Sequence, residues 1–343
     1  MSEKIISFII PSYNMEGYIE NCVLSIVATP SADRFDVIIV NDGSTDKTLE
    51  IAQSLVVKYP QSVRVIDKPN GHYGSCVNAA LPQVLGRYVK IVDADDWVNS
   101  EELEKVANEL SVVDADLAVC PYVMKYEGGA EKVAPFGVSE YSKVLPVESL
   151  NDSVFINNIF HACIFWNVRV LEGYKQTERC LYTDLQWMNI PFAKTRTVYA
   201  MRHVVYCYRL GRPGQSMDLK VREAHFADEF KIRNVLLGEF EKGNFVSSAS
   251  KNILEKSLIC TIEGVYKEIL MRRHFQKFLP ELKTLECRLK QTSALENIYN
   301  GLDKIYLFNT AKCPLRYIKF WRKNPDGLMF RLCVWIYGKC HKG

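Results

Sequence analysis

The sequence predicts an α/β fold: a mostly parallel sheet with helices on both faces, followed by a helical C-terminal region. Three observations support this prediction. Short apolar, β-branched runs alternate with segments of helical spacing over the first 120 residues or so, a pattern typical of parallel sheets. Polar residues follow the ends of several of these runs. Beyond residue 221 the spacing of apolar residues is helical.

The size and composition are those of a globular protein. Of the 343 residues, 48% are hydrophobic and 24% are charged, which excludes a disordered chain. We expect two regions, residues 1–220 and residues 221–343. A net charge of +3 does not indicate nucleic-acid binding, and no motif for it is present.

The cysteines and the apolar runs predict a cytoplasmic protein. The eleven cysteines are scattered singly without Cys-x-x-Cys spacing, as expected of buried thiols in a reducing compartment. The first apolar run is short and breaks at Pro11, unlike a signal peptide. No run reaches the ~20 residues that span a bilayer.

Four buried strands are predicted in order, at residues 5–10, 37–40, 63–66 and 88–92, because each is a short apolar run. Apolar residues three to four positions apart predict a helix after each of the first three strands. Asn99 with Glu102 resembles a capping box for a fourth helix that runs to about residue 112.

The rest of the first region is less regular. We predict a fifth strand at residues 117–123, loops at 126–144 and a strand at 197–208. A basic loop with two glycines follows at residues 209–216. Helices are then expected around residues 253–269 and 279–289, where apolar residues repeat every three to four positions.

An acidic cluster ends the fourth strand. Asp93, Asp95 and Asp96 would repel one another and raise one another's pKa unless a cation or strong donors hold them ionised. Mg²⁺ and Mn²⁺ prefer such oxygen ligands. Because ligands bind beyond the carboxyl ends of parallel strands, Ser12 and Asp42 should converge with this cluster. A solvated Asp-rich turn is the alternative interpretation.

Four motifs resemble, in order and spacing, those of the family 2 glycosyltransferases: residues 9–14, 40–46, 74–78 and 93–96. The resemblance covers roughly the first 220 residues. It implies the GT-A fold, in which a nucleotide-binding α/β sheet carries the site. It also implies transfer of a sugar from a nucleotide donor with inversion at the anomeric carbon.

The resemblance assigns roles in donor binding. Pro11, Tyr13 and Glu16 would line the pocket for a uracil base. Asp42 would accept the uracil imide N–H, which agrees with a carboxylate being an acceptor-only group. Gly74 and Ser75, at a helix start, would let backbone N–H groups approach the diphosphate or the sugar. Alternatively, Pro11 could only end the strand and Asp42 could only shape a turn.

The resemblance also assigns the metal and the base. Asp93 would contact the ribose or sugar and assist the metal, and Asp95 would be the principal ligand of Mn²⁺ or Mg²⁺. Asp184 would be the general base, although Thr183 stands where the family usually has Glu. If that alignment fails, Asp152 or His161 would be the base.

Two segments have open interpretations. Arg209 and Arg212 lie in a loop that could close over the diphosphate or could simply be solvated. Residues 312–342 carry eight Lys or Arg against one acid, interleaved with aromatic residues. Such a segment could lie on the cytoplasmic face of a membrane as a peripheral contact, or could pack as an ordinary helix on the protein.

The leading functional prediction is a metal-dependent, inverting glycosyltransferase that uses a nucleotide sugar, expected to be UDP-linked. The acceptor would be a hydroxyl of a surface polysaccharide or glycolipid. A sugar-phosphate nucleotidyltransferase is one alternative, although a glycine-rich basic loop would then follow the first strand. A non-catalytic nucleotide-sugar binding protein is the other.

Overall fold

The computed structural model describes residues 3–134, 138, 140–150, 160–212, 214–215, 218–306, 316–323 and 325. The chain divides into two compact units. The first comprises Met1–Gln215 with Phe245–Ser250, and the second comprises Ser216–Asn244 with Lys251–Gly343. The first boundary therefore falls at Gln215, where the sequence predicted residue 220.

The first unit contains two sheets. Its strands are β1 (Ile6–Ser12), β2 (Phe35–Asp42), β3 (Val63–Lys68), β4 (Tyr88–Ile91), β5 (Trp97–Val98), β6 (Leu117–Val119), β7 (Tyr122–Tyr126), β8 (Glu131–Val133), β9 (Val144–Pro146), β10 (Ile164–Asn167), β11 (Thr197–Ala200) and β12 (Tyr206–Leu210). Within the described residues, the large sheet has the order β3-β2-β1-β4-β10-β6-β11-β9. The small sheet has the order β5-β12-β7-β8.

The first four strands form the parallel half of the large sheet, as the alternating pattern predicted. β1 pairs in parallel with β2 from Ile6 opposite Phe35 to Ser12 opposite Asn41, and also with β4. The apolar side chains of β2 and β4 and the isoleucines and phenylalanine of β1 are almost completely buried, as expected for a sheet covered on both faces, whereas Val65 and Ile66 of the edge strand β3 are half-buried. This register brings the carboxyl ends of β1 and β2 to one edge, beside the acidic cluster that follows β4.

Helices connect these strands: α1 (Ile19–Val27), α2 (Thr48–Lys58), α3 (His72–Ala80), α4 (Ser100–Val112) and, later, α5 (Asp184–Asn189). The Asn99 side chain caps α4 by accepting from the N–H groups of Glu101 and Glu102. The predicted reciprocal half of the capping box is absent, because the Asn99 N–H donates to Val205 O and Glu102 instead binds Lys105 and His203.

Two predicted strands are each divided between the two sheets. The run 117–123 forms β6 in the large sheet and β7 in the small sheet, with Cys120 and Pro121 between them. Pro121 has no N–H to donate, which favours a break in the ladder there. The run 197–208 likewise becomes β11 and β12. Single continuous strands were therefore the wrong prediction at both places.

The second unit is helical, with α6 (Leu219–Glu241), most of α7 (Ser248–Met271), α8 (Leu279–Gln291), α9 (Glu296–Leu302) and α10 (Tyr317–Lys323). α10 belongs to the basic aromatic segment, and it packs as an ordinary helix. Tyr317, Ile318 and Trp321 are buried. The Trp321 ring meets Tyr266 edge-on at 5.8 Å between centroids.

The rest of that segment, apart from residues 316 and 325, lies outside the described residues. In the part of the chain that the structure describes, no helix combines the length and the apolarity needed to cross a bilayer.

The eight cysteines among the described residues are all free thiols. The six in the first unit are buried, whereas Cys260 and Cys287 in the second unit are exposed. This agrees with the scattered spacing of the cysteines in the sequence.

Candidate active site

Asp42 ends β2 at the edge of the sheet and is 3% exposed. Its Oδ1 accepts from Lys68 Nζ at 2.6 Å and from the Gly71 N–H at 2.9 Å. The carboxylate is therefore held in place through Oδ1, and neither of these two donors engages Oδ2.

The loop after β1 is fastened to the loop after β2. The Asn14 N–H donates to Ser44 Oγ at 3.0 Å, and Glu16 Oε2 accepts from the Lys47 N–H at 3.0 Å. Asn14 adopts a left-handed backbone, with φ of 53°. Tyr13 is 47% exposed, so its ring could stack on a base. Pro11 is a half-buried residue of β1.

Gly74 and Ser75 lie in the first turn of α3, but the structure gives them different surroundings from those predicted. A Cβ on Gly74 would lie 2.2 Å from Thr177 O, so this glycine allows the segment 175–179 to pack on α3. Ser75 Oγ accepts from Lys68 Nζ at 2.8 Å, which places it beside Asp42. Neither observation positions a diphosphate.

The acidic cluster forms a compact group after β4. Asp93, Asp95 and Asp96 each offer a carboxylate oxygen within 4.8 Å of the others. Asp93 Oδ1 accepts from the Tyr73 hydroxyl at 2.9 Å. Asp95 Oδ2 forms an ion pair with Arg212 Nε at 2.9 Å.

Asp96 differs from the other two carboxylates because it is buried and both of its oxygens are bonded. Its Oδ1 accepts from the Arg209 N–H at 2.7 Å, and its Oδ2 accepts from the Tyr206 hydroxyl at 2.6 Å. The same Tyr206 oxygen accepts from the Asp93 N–H at 3.2 Å. Asp96 therefore shapes the turn, which leaves Asp93 and Asp95 as the residues that could hold a cation.

The cluster accumulates negative charge where water is scarce. Burial, followed by the charge of Asp95, raises the pKa of Asp93 to about 7. Burial and the charges of Asp93 and Asp95 raise the pKa of Asp96 well above its usual range. A positive charge near Asp93 and Asp95 would offset this repulsion, so the donor set fits a divalent cation.

The predicted basic loop does reach the acidic cluster. Besides the contact of Arg212 with Asp95, Arg209 Nε donates to Asp95 O at 2.8 Å. The Arg209 guanidinium lies 4.8 Å from the Trp97 ring centroid and 5.3 Å from that of Tyr18. The loop is therefore held over the carboxylates by charge and by stacking. Ser216 lies outside the described residues.

Asp184 is the first residue of α5, and it lies within electrostatic reach of the acidic cluster. Its charge raises the pKa values of Tyr73 and Tyr208, in both cases after burial and the charge of Asp93. Tyr73 is the residue that donates to Asp93. Asp184 and Asp93 therefore both lie close enough to Tyr73 for their charges to act on it. Asp152 lies outside the described residues.

His161 and Lys90 lie beneath the cluster. His161 Nε2 is 3.4 Å from Asp93 Oδ2, and burial lowers the pKa of this histidine to about 4. Lys90 is completely buried in β4, where Nζ donates to Ala162 O at 2.6 Å. Sequence reasoning missed Lys90, Tyr206 and Lys68. For Lys90, the signal in the sequence is a lysine inside the apolar run 88–92.

Part of the chain matches a known protein family. Residues 7–165 match the model of "Glycosyl transferase family 2". The chain is 39% identical over 118 residues to the chondroitin synthase of Pasteurella multocida, which covers 34% of this chain and 12% of that protein. It is 27% identical over 220 residues to the poly(ribitol-phosphate) β-N-acetylglucosaminyltransferase TarS of Staphylococcus aureus, covering 62% of this chain and 36% of TarS.

Solved structures agree on the fold. Residues 1–349 of S. aureus TarS in complex with UDP superpose with a TM-score of 0.59 at 20% identity, covering 86% of this chain and 80% of that one. The complex of the same fragment with UDP-GlcNAc gives 0.54 at 19% identity, covering 89% and 93%. The GT-A-like α/β fold predicted from the sequence is confirmed. The aligned segments span about a third or less of the first curated relatives, and the match to glycosyl transferase family 2 covers residues 7–165 of this chain.

Proposed function

We propose that this chain transfers a sugar from a UDP-linked donor to a hydroxyl of a polysaccharide or glycolipid acceptor, with inversion. One observation carries the proposal most strongly: Asp93 and Asp95 lie together after β4, and the charge of Asp184 acts on Tyr73, the residue that donates to Asp93. The first unit would be the catalytic one. A relative named chondroitin synthase and one named poly(ribitol-phosphate) β-N-acetylglucosaminyltransferase support a polymer as the acceptor.

The residues around Asp42 would bind the nucleoside. Asp42 would accept the uracil imide N–H through Oδ2, since Oδ1 is already occupied by Lys68 and the Gly71 N–H. The exposed Tyr13 ring would cover the base. Because the loops after β1 and β2 are already joined by hydrogen bonds, the pocket needs little ordering when the base binds.

Asp93 and Asp95 would hold a divalent cation, with Asp96 fixing the turn that presents them. The cation would neutralise the charge that develops on the departing diphosphate. Arg212 contacts Asp95 in this structure, and its guanidinium could serve the same diphosphate as a donor of hydrogen bonds.

Asp184 would act as the general base. As the acceptor oxygen attacks the anomeric carbon, its proton passes to the Asp184 carboxylate, and the bond from that carbon to UDP breaks. One displacement inverts the configuration. A base in this position contributes ~10² to 10⁴-fold in rate.

The test is Asp184→Asn. We expect transfer to fall ~10² to 10⁴-fold, while UDP affinity in Mn²⁺ stays within a few-fold of the wild type, because this carboxylate serves the acceptor. Glu172→Gln is the matched control, since Glu172 is an exposed carboxylate in the same segment. Transfer and UDP calorimetry are measured on all three proteins. Near-normal turnover of the Asn variant at saturating acceptor, or a retained configuration in the first product, would reject the assignment.

A further inference from the structure

A groove of about 530 Å³ runs along α3 in the first unit. Its polar and charged lining comes from Lys68, Ser75, Asn78, Lys175, Glu178 and Arg179, among others. Asp93, Asp95 and Asp184 do not line it. The volume lies within the range of sites that bind small ligands. Lys68 and Gly71 of the lining also hold Asp42, but the proposed mechanism does not use Lys175 or Arg179.

The segment 175–179 forms the outer wall of the groove and is attached to α3 by hydrogen bonds. Asn78 Oδ1 accepts from the Gln176 N–H at 2.8 Å, and Asn78 Nδ2 donates to Gln176 O at 2.9 Å and to Glu178 Oε1 at 3.0 Å. The absent side chain of Gly74 leaves room for Thr177 O. The segment 175–179 is therefore held in one place.

Arg179 is held in an unusual conformation. Its backbone is left-handed, with φ of 52°, and its N–H donates to Gly71 O at 2.8 Å. A non-glycine residue seldom adopts this region and persists there only where the surroundings impose it. This backbone conformation fixes the position from which the Arg179 side chain extends.

Two of the three cations that line the groove, Lys175 and Arg179, form no ion pair with a described residue. The Lys68 ammonium uses its three N–H groups on Asp42 Oδ1, Pro69 O and Ser75 Oγ, at 2.6, 2.7 and 2.8 Å. Lys175 and Arg179 are exposed, and neither has an ion-pair partner among the described residues. The one acidic side chain in the lining, Glu178, binds Asn78.

We propose that this groove binds a phosphodiester of the acceptor, at a second anion site separate from the donor diphosphate. A guanidinium fork and a neighbouring ammonium suit a phosphate, and the Asn78 wall holds them in place. Arg179 precedes Asp184 by five residues, so their Cα atoms lie within ~18 Å of each other. One acceptor molecule could therefore reach both. The role of the ligand as acceptor rests on the proposed function, whereas its binding does not.

The test compares Lys175→Gln/Arg179→Gln with Lys58→Gln/Lys132→Gln, which removes two exposed cations elsewhere in the first unit. The probe is a glycerol-phosphate hexamer, titrated by calorimetry at low salt. Two charge-assisted contacts predict about a 10-fold or greater loss of hexamer affinity in the first variant and none in the second. UDP affinity in Mn²⁺ should be unchanged in both.

Three results would overturn the proposal. The wild type could bind neither the hexamer nor the vesicles, or both double variants could lose hexamer affinity equally. The third is a loss of UDP binding in Lys175→Gln/Arg179→Gln. Phosphatidylglycerol vesicles form the second arm. Vesicle binding without hexamer binding, abolished only in the groove variant, would assign the phosphodiester to a lipid headgroup and keep the site. Both arms measure binding and not sugar transfer. A negative result for the groove can therefore be distinguished from a failure of the proposed catalysis.

Discussion

At the scale of single residues, the acidic cluster shows that aspartates close together in the sequence can have different surroundings. Asp96 is buried with both oxygens bonded, whereas Asp95 has an ion pair to one arginine side chain. The sequence placed all three aspartates together, and the family resemblance assigned Asp95 as the principal metal ligand, but neither could separate the fully bonded Asp96 from the other two. That division depends on Tyr206 and Arg209, which are more than 100 positions away along the chain.

This difference predicts opposite effects of two matched variants. Asp95→Ala should abolish Mn²⁺-dependent UDP binding and leave thermal stability close to that of the wild type. Asp96→Ala should lower the free energy of unfolding by about 1–3 kcal/mol, because a buried N–H and a buried hydroxyl lose their acceptor. Calorimetric melting and UDP titration of both variants provide the measurement. Equal melting temperatures for the two would contradict the division of roles.

At the scale of elements, the first four strands and the cap of α4 could be predicted because their signals are local. Apolar β-branched runs and Asn99 act through neighbouring residues. The small sheet could not be predicted, because β7 and β12 continue apolar runs that begin in the large sheet. Which sheet a strand joins depends on partners such as Tyr122 opposite Tyr206, far apart in the sequence.

The packing of the segment 175–179 on α3 is testable at this scale. Gly74→Ala places a Cβ 2.2 Å from Thr177 O, so the segment must move. We expect a loss of about 1–3 kcal/mol in the free energy of unfolding, typical of overpacking. Gly17→Ala is the control, because nothing lies within 4 Å of its added Cβ. Urea unfolding that showed the same stability for both variants would refute this account of Gly74.

At the scale of the whole molecule, a buried charge should make stability depend on pH. Burial lowers the pKa of Lys90 from 10.5 to about 8. Between these values the unfolded chain holds a proton that the folded protein has released, so stability rises with pH. Below pH 8 both states are protonated, and the cost of burial, about 3 kcal/mol, is constant.

Lys90→Met removes this dependence. We expect the wild type to gain about 3 kcal/mol relative to the variant between pH 7 and pH 10.5, measured by urea unfolding at several pH values. The comparison cancels the contributions of other titrating groups. Parallel stability curves for the two proteins would show that the fold does not lower the pKa of Lys90.

The membrane contact predicted for the basic C-terminal segment is tested by a truncation that keeps α10. Removing residues 312–343 would take away Trp321 and uncover Tyr266, whereas truncation after Pro325 keeps that contact. Residues 326–343 still carry Arg331, Lys339 and Lys342 with three aromatic residues. If this part contacts membranes, the full chain should sediment with phosphatidylglycerol vesicles at low salt, and the truncated chain should not. Failure of the full chain to sediment would reject the membrane contact.

The distribution of thiols has a practical consequence for spectroscopy. The six cysteines of the first unit are buried, and every other cysteine of the sequence falls within the range of the second unit. A maleimide dye added to the native protein should therefore attach only to the second unit, and no cysteine need be replaced first. Fluorescence from such a label could follow nucleotide or acceptor titrations while the proposed catalytic carboxylates stay chemically untouched.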